Sequence, residues 1–342
     1  MSSANDLQVL VFDRAGYHPN DIQPQITYVA WRLNEIGVAK FTLPYEDPKC
    51  TPDILKSGNR VLIRFLNGLP PFGGVIDYPL RRTATGIQVT VYGGEHILTW
   101  RHTAMTLEID ALPPGSIFRI LIENANTTAT TGITVGSVHT GGDLRTETYH
   151  YEQLWNAARS LQSRTGEDFK VSPIYEGGRL TFRATWHDSL GDDLSASVLL
   201  VEDRNLEDLM MDDQGPIANT VIAAGSGAGG TTWEDRVLGT AQDTDSISAY
   251  GRREWAEVLT GIADQTTLTT SAAAILAEKK DPRPHVSAVA LNKEPADFSR
   301  YKVGDTVQVN GFLKHSLWAI DRPLRVLGRE WRPDNRCSLE LA

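Results

Sequence analysis

The chain has little cysteine, no long apolar run and no excess of positive charge, and each shortage excludes something. Cys50 and Cys337 are the only thiols in 342 residues. They supply neither a CxxC metal pair nor a disulfide framework. A bridge between them would need the two ends of the chain to pack together, and chains made in a reducing cytosol seldom rely on one. No apolar stretch approaches the ~20 residues of a membrane-spanning helix. The apolar share of 41% and the mean hydropathy of -0.27 are those of a globular protein. Met1 to Asp6 carries no basic region followed by an apolar one, so no signal peptide is expected and synthesis in the cytoplasm follows. With 33 basic against 43 acidic residues the net charge is -10. That balance argues against a protein whose main task is gripping a phosphate backbone. It suits an ordinary solubility charge first, and after that a wall past which nucleic acid slides.

Catalytic motifs are scarce too. Gly225, Gly227 and Gly230 satisfy G-x-G-x-x-G after the apolar run Val221 to Ala224. Thr231-Thr232-Trp233 continues poorly as the helix a dinucleotide site requires, so the glycines read as a loop tip. Asp192 with Asp193, Asp203 with Glu207 and Asp212 with Asp213 are carboxylate pairs. A glycosidase needs its pair facing each other across a sugar, roughly 5 to 9.5 Å apart, which spacing in sequence does not establish. Asp243 and Asp245 alternate as in a Ca²⁺ loop but read as a solvated turn. The eight histidines form no H-E-x-x-H, and His150 and Glu152 read as loop residues. No G-x-S-x-G elbow is present. The expectation is no enzyme, no cofactor and no metal site. Eight tryptophans admit two readings, sugar-binding platforms or core and interface anchors.

What is present is β pattern. Leu7 to Phe12, Ile26 to Asn34, Val38 to Leu43, Asn59 to Leu66, Phe72 to Tyr78 and Gly86 to Gly93 are apolar or alternating runs bounded by Gly, Pro and Asn. Asn67-Gly68 is a hairpin signal, and Gly73-Gly74 marks a bulge or a close backbone approach. Such spacing predicts an antiparallel barrel or sandwich. After Trp100 the pattern changes. A helix follows Pro113-Pro114-Gly115, with Ser116 as its N-cap, and a second spans Tyr151 to Arg164 before Gly166. Asn126 to Gly142 reads as an exposed loop or weak hairpin, and Phe169–Tyr175 pairs with Arg179–Trp186 across Gly177-Gly178. From Ser197 the text is β again, with short ambiguous stretches at 233–240 and 247–251 and one helix over 268–280. The fold class is mainly β with an α+β insert: a β-barrel domain over 1–105, an insert over 106–200 and a second β-barrel domain over 201–342.

Three sets of residues carry a resemblance. The first is Trp31-Arg32-Leu33-Asn34, Gly37 to Pro44, Gly58 to Ile63 and Phe72 to Ile76. The second is Asp245 to Gly251 followed by Leu276-Ala277. The third is Tyr301 to Val307, Leu324-Arg325-Val326 and Leu339-Glu340-Leu341. Each piece is short; their order along most of the chain resembles the tail hub proteins of tailed bacteriophages, the baseplate hub and tail-associated family. The resemblance implies a structural virion protein at the tail tip. It implies a homotrimer in which each subunit gives two barrels, so that three chains form a pseudo-sixfold ring. Its implied partners are the distal tail or tail tube ring, the C-terminus of the tape measure protein, a central tip or fibre protein, and DNA only in transit. The strands of the ring are expected to include Val61, Ile63, Phe65, Val75, Ile76, Val307 and Val309, with an acidic face on the lumen. A carbohydrate-binding tip module, or the hub of a contractile injection system or gene transfer agent, stands as the alternative.

Overall fold

The computed structural model describes residues 7–66, 68–78, 80–213, 215–227, 233–259, 262, 264–281, 284–311 and 319–342. The protein is mainly β, with twenty-two strands and four α-helices among the described residues. It divides into two compact units, Met1–Met210 with Val286–Ala342, and Met211–His285.

The first unit is built on one long strand path. It runs Asn20–Ile22, Leu7–Phe12, Arg60–Phe65, Phe72–Ile76, Gly86–Gly93, Val38–Pro44, Gln25–Arg32, Ile320–Arg332, Arg336–Leu341, Pro284–Leu291 and Leu206–Asp213. Neighbours whose register is resolved are antiparallel; Val61, for example, sits opposite both Val11 and Gly74. The N-terminal and C-terminal strand sets join where Val29–Arg32 pairs with Gly328–Trp331. Ile320–Arg332 serves two sheets. Its first half pairs with Thr306–Gly311, which also takes Leu199–Val201 in parallel, and its second half pairs with Arg336–Leu341. The register shift between Val326 and Gly328 lets one strand turn between these duties. Two closed barrels were the expectation; among the described residues no sheet closes on itself. The alternation that predicted them reports one buried face per strand, and that requirement is met equally by an open, folded sheet.

The glycine pair at 73–74 is a close approach. A Cβ on Gly74 would stand 2.0 Å from the Tyr92 carbonyl oxygen, and one on Gly73 would stand 2.3 Å from Pro173 Cβ. Gly74→Ala must therefore separate two paired strands and is expected to lower stability by about 2 kcal/mol. Urea unfolding checks this, and an unchanged midpoint would contradict it.

Residues 106–187 supply most of one core cluster, which Val75, Ile97 and Leu98 complete. Helices α1 (Pro114–Thr128) and α2 (Leu154–Thr165) cover a three-stranded sheet ordered Ile133–Val138, Arg179–His187, Asp168–Glu176. Phe118, Phe169 and Trp186 meet in its centre, with ring centroids 5.0 to 5.9 Å apart. The hairpin across Gly177-Gly178 is as expected, both glycines having positive φ. Ser116 is not an N-cap: α1 begins at Pro114, whose missing N–H suits the first turn, and Pro113 precedes it. Ile133 to Val138 is a parallel strand, not an exposed loop, because Ile133 is buried beneath α1.

In the second unit Thr220–Gly227 lies between antiparallel Arg236–Gln242 and parallel Glu254–Val258. Helix α3 spans Thr244–Tyr250, and α4, Gln265–Lys279, packs Leu268, Ala272 and Leu276 onto Val221 and Ala223. No helix among the described residues is long and apolar enough to cross a membrane.

Candidate functional site

The residues expected in the ring occupy the interior. Val61, Ile63, Val75, Ile76, Val307 and Val309 are buried. Phe65 is half-buried against Trp331 and Trp31, at 5.0 and 5.6 Å between ring centroids. Their strands are also paired on both edges: Arg60–Phe65 by Leu7–Phe12 and Phe72–Ile76, and Thr306–Gly311 by Leu199–Val201 and Ile320–Arg332. The ends of the long strand path are Asn20–Ile22 and Leu206–Asp213.

The other sequence candidates are dispersed. Residues 228–230 of the glycine motif and Trp318 lie outside the described residues, as does Asn67. Asp243 is the N-cap of α3, accepting from Ser246 N at 2.9 Å and pairing with Lys280 at 2.9 Å, so it is a cap and not a solvated turn. Asp192 pairs with Lys302, and Glu207 with Arg336. Among the described residues no three His, Cys, Asp or Glu side chains converge as a metal set. Cys337 is buried, Cys50 half-buried, and both are free thiols. Trp186 and Trp331 are core residues, while Trp100, Trp233 and Trp255 are exposed.

What the first unit does bring together is a polar junction and a cavity, from segments far apart in sequence. Asn34 follows the strand Gln25–Arg32 in a left-handed turn, φ 55°. Its side chain donates to Asp168 Oδ1 at 2.7 Å and accepts from Phe169 N at 2.8 Å. Asp168 Oδ2 accepts from Leu190 N at 2.7 Å and from Arg325 Nη2 at 2.5 Å. Arg325 also donates to the Leu190 and Gly304 carbonyls, and Arg159 donates to Asn34 O at 2.7 Å. The Asp168 side chain is 2% exposed and that of Arg325 27%. One carboxylate thus ties the N-terminal sheet, the insert and the C-terminal sheet together, with both of its oxygens hydrogen-bonded.

Beside this junction lies a cavity of about 190 Å³. Its apolar wall includes Trp31, Pro71, Phe72, Phe169, Pro173 and Val303; its polar residues include Glu95, Lys170, Lys302 and Arg329. Gly93 opens it: a Cβ there would stand too close to Glu95 Oε2. Glu95 keeps some exposed surface toward the cavity, yet protein encloses its carboxyl, and burial pushes its pKa up to about 7. Backbone N–H groups, including Val171 N at 3.1 Å, and the charge of Lys170 oppose that rise in part. Burial holds the Lys170 ammonium below its ordinary pKa, with Glu95 acting against the shift. Of these polar residues only Lys302 lies among the residues that carry the resemblance in the sequence, and there it has no assigned role. Lys170 and Arg329 lie on separate strands, Glu95 in the 3-10 turn Gly94–Trp100 and Lys302 in the segment before Thr306–Gly311, and no local motif joins them.

Neither a protein-family model nor a curated protein matches this chain. Solved structures do. The chain is similar to the prophage tail protein gp18 of Listeria monocytogenes, with a TM-score of 0.61 at 10% identity over 98% of this chain and 94% of that one. It is similar to the 43 kDa tail protein of prophage MuSo2 from Shewanella oneidensis, with a TM-score of 0.63 at 12% identity over 98% of each chain. The E. coli c3393 protein, a component of the type VI secretion system, is similar at a TM-score of 0.52 and 9% identity over 93% of this chain and 73% of that one. The fold is that of phage tail proteins, in agreement with the resemblance read from the sequence.

Proposed function

We propose that this chain is a structural hub subunit of a tail tip, closing the end of a tail tube and holding the tip proteins beyond it. The observation that carries the proposal is the fold likeness along nearly the whole chain to two prophage tail proteins, with nearly all of each of those proteins covered in turn. Function at this level resides in shape and edges, not in a reactive site. The union of two strand sets through Val29–Arg32 and Gly328–Trp331 supports a chain that supplies two β modules already joined edge to edge. In the proposed assembly three chains repeat that joint to make a ring of six modules, each completed as a barrel. The terminal strands Asn20–Ile22 and Leu206–Asp213 meet their counterparts in the neighbouring subunits, so exposed strand edges are removed. Val61, Ile63, Val75, Ile76, Val307 and Val309 then hold each module rigid from inside, and Phe65 packs beside them. The net charge of -10 gives the lumen an acidic lining that lets DNA pass without sticking. The tape measure terminus and the tip proteins are the neighbours above and below, and the role needs no cofactor and no catalysis.

Light scattering of the purified chain, with negative-stain images of the same peak, tests the proposal. The expected result is about three times the 37.7 kDa chain mass and a central hole, alone or after addition of tail tube protein. A monomer without rings under both conditions would contradict it.

A further inference from the structure

We infer that the cavity between the junction strands is a binding site for a carboxylate carried on a compact apolar body. The argument begins with unequal satisfaction of its charged residues. Arg32 pairs with Glu340 at 2.9 Å, and Lys302 with Asp192 at 3.3 Å. Arg329, 2% exposed, donates to the Tyr301 and Phe298 carbonyls and stacks on both of those rings; its Nε is buried without a partner. The Lys170 carbonyl accepts from Thr185 Oγ1, but its ammonium has no hydrogen bond and no ion pair within 4.0 Å among the described residues, although burial disfavours its charge. Glu95, Lys302 and Asp305 are the charged groups that act on it. Lys170 is half-buried and lines the cavity, so an anion that enters can reach its ammonium, and a charge-assisted hydrogen bond inside a cavity is stronger than one in water.

The walls set the rest of the ligand. Trp31, Phe72 and Phe169 with three prolines offer flat apolar faces, so the anion arrives on an aromatic or short aliphatic group. A cavity of about 190 Å³ has room for roughly six waters at ~30 Å³ each, which suits a group the size of one side chain. Glu95 makes the site responsive to pH. Its carboxyl is neutral below about 7 and repels an anion once it ionises. Lys170 is the charged group that acts on it. The carboxylate has two sources of the same chemistry, a free organic acid or the C-terminal end of a polypeptide.

Isothermal titration of the full chain with phenylacetate tests the site, with phenylacetamide as the uncharged isostere. At about pH 6 phenylacetate is expected to bind at least about tenfold more tightly than the amide, the size of one charge-assisted hydrogen bond. Lys170→Met is expected to lose about the same factor while Lys170→Arg retains most of the affinity. Affinity is expected to fall several-fold toward about pH 8.5, and Glu95→Gln to abolish that dependence. N-acetyl-phenylalanine peptides with free and amidated ends distinguish the sources: tighter binding of the free-ended peptide than of phenylacetate marks a chain terminus, and the reverse marks a free acid. Equal binding of phenylacetate and phenylacetamide, no binding of either, or a folded Lys170→Met that binds as the parent does would overturn the inference. If Lys170→Met does not fold, the acid–amide comparison on the unaltered chain decides alone.

Discussion

Asp168→Ala is expected to cost about 3–5 kcal/mol, the range for breaking a buried ion pair from one side. The residue lies at one end of a strand, but its carboxylate is the only acidic partner of Arg325 in the structure, among the described residues. Removing it leaves three donors short. Asn34 Nδ2 and Leu190 N lose their acceptors, and Arg325 keeps only the Leu190 and Gly304 carbonyls. Arg325→Met is expected to cost less, because the arginine has partial access to water and leaves Asp168 with two remaining donors. Urea unfolding followed by tryptophan fluorescence measures both, and a double-mutant cycle isolates the pair. A cost for Asp168→Ala below about 1 kcal/mol would mean that the junction does not hold the sheets and the insert together.

Glu95→Gln is expected to stabilise the protein at alkaline pH by about 2 kcal/mol and to change it little at acid pH. The direction follows from burial. The folded carboxyl has its pKa raised from 4.5 to about 7, so the folded state holds a proton that the unfolded chain gives up earlier. The contribution to stability is fully present below pH 4.5 and is lost as pH rises through about 7. The full shift corresponds to about 3 kcal/mol at 1.36 kcal/mol per unit, and water in the cavity reduces it. Glutamine keeps the shape and the acceptor oxygen for Val171 N but never ionises. The two proteins should therefore differ at about pH 8.5 and converge at about pH 5. An equal difference at both values would show that the carboxyl does not titrate in this window.

The strands were legible where one face is buried and the other is not. Gly86–Gly93 alternates in sequence and in burial, and the Gly177-Gly178 turn sets a nine-residue register without help from distant parts of the chain. Parallel partners were not legible. Glu254–Val258 has almost no buried side chain, so no period marks it, and only the adjacent Thr220–Gly227 makes it a strand. Ile320–Arg332 contains Pro323, tolerated because the first half of that strand pairs along one edge, and it runs on through Gly328 to Arg332. The expected ring residues were found by apolar pattern, and apolar pattern selects the core. The junction and cavity were invisible for another reason. Asn34 and Arg325 stand in the segments that carry the resemblance, but nothing there assigns their side chains a role, and Glu95 and Asp168 stand in none; the four lie 61 to 291 positions apart, and only the fold brings them to one place.

Gold-labelled antibody raised against this chain, imaged on intact tailed particles from the strain that encodes it, tests the central claim most directly. The account predicts label at the tip of the tail, where the tube ends, and tails lacking a closed tip when the gene is deleted. Label on the capsid or along the tube, or normal closed tips without the gene, would contradict it.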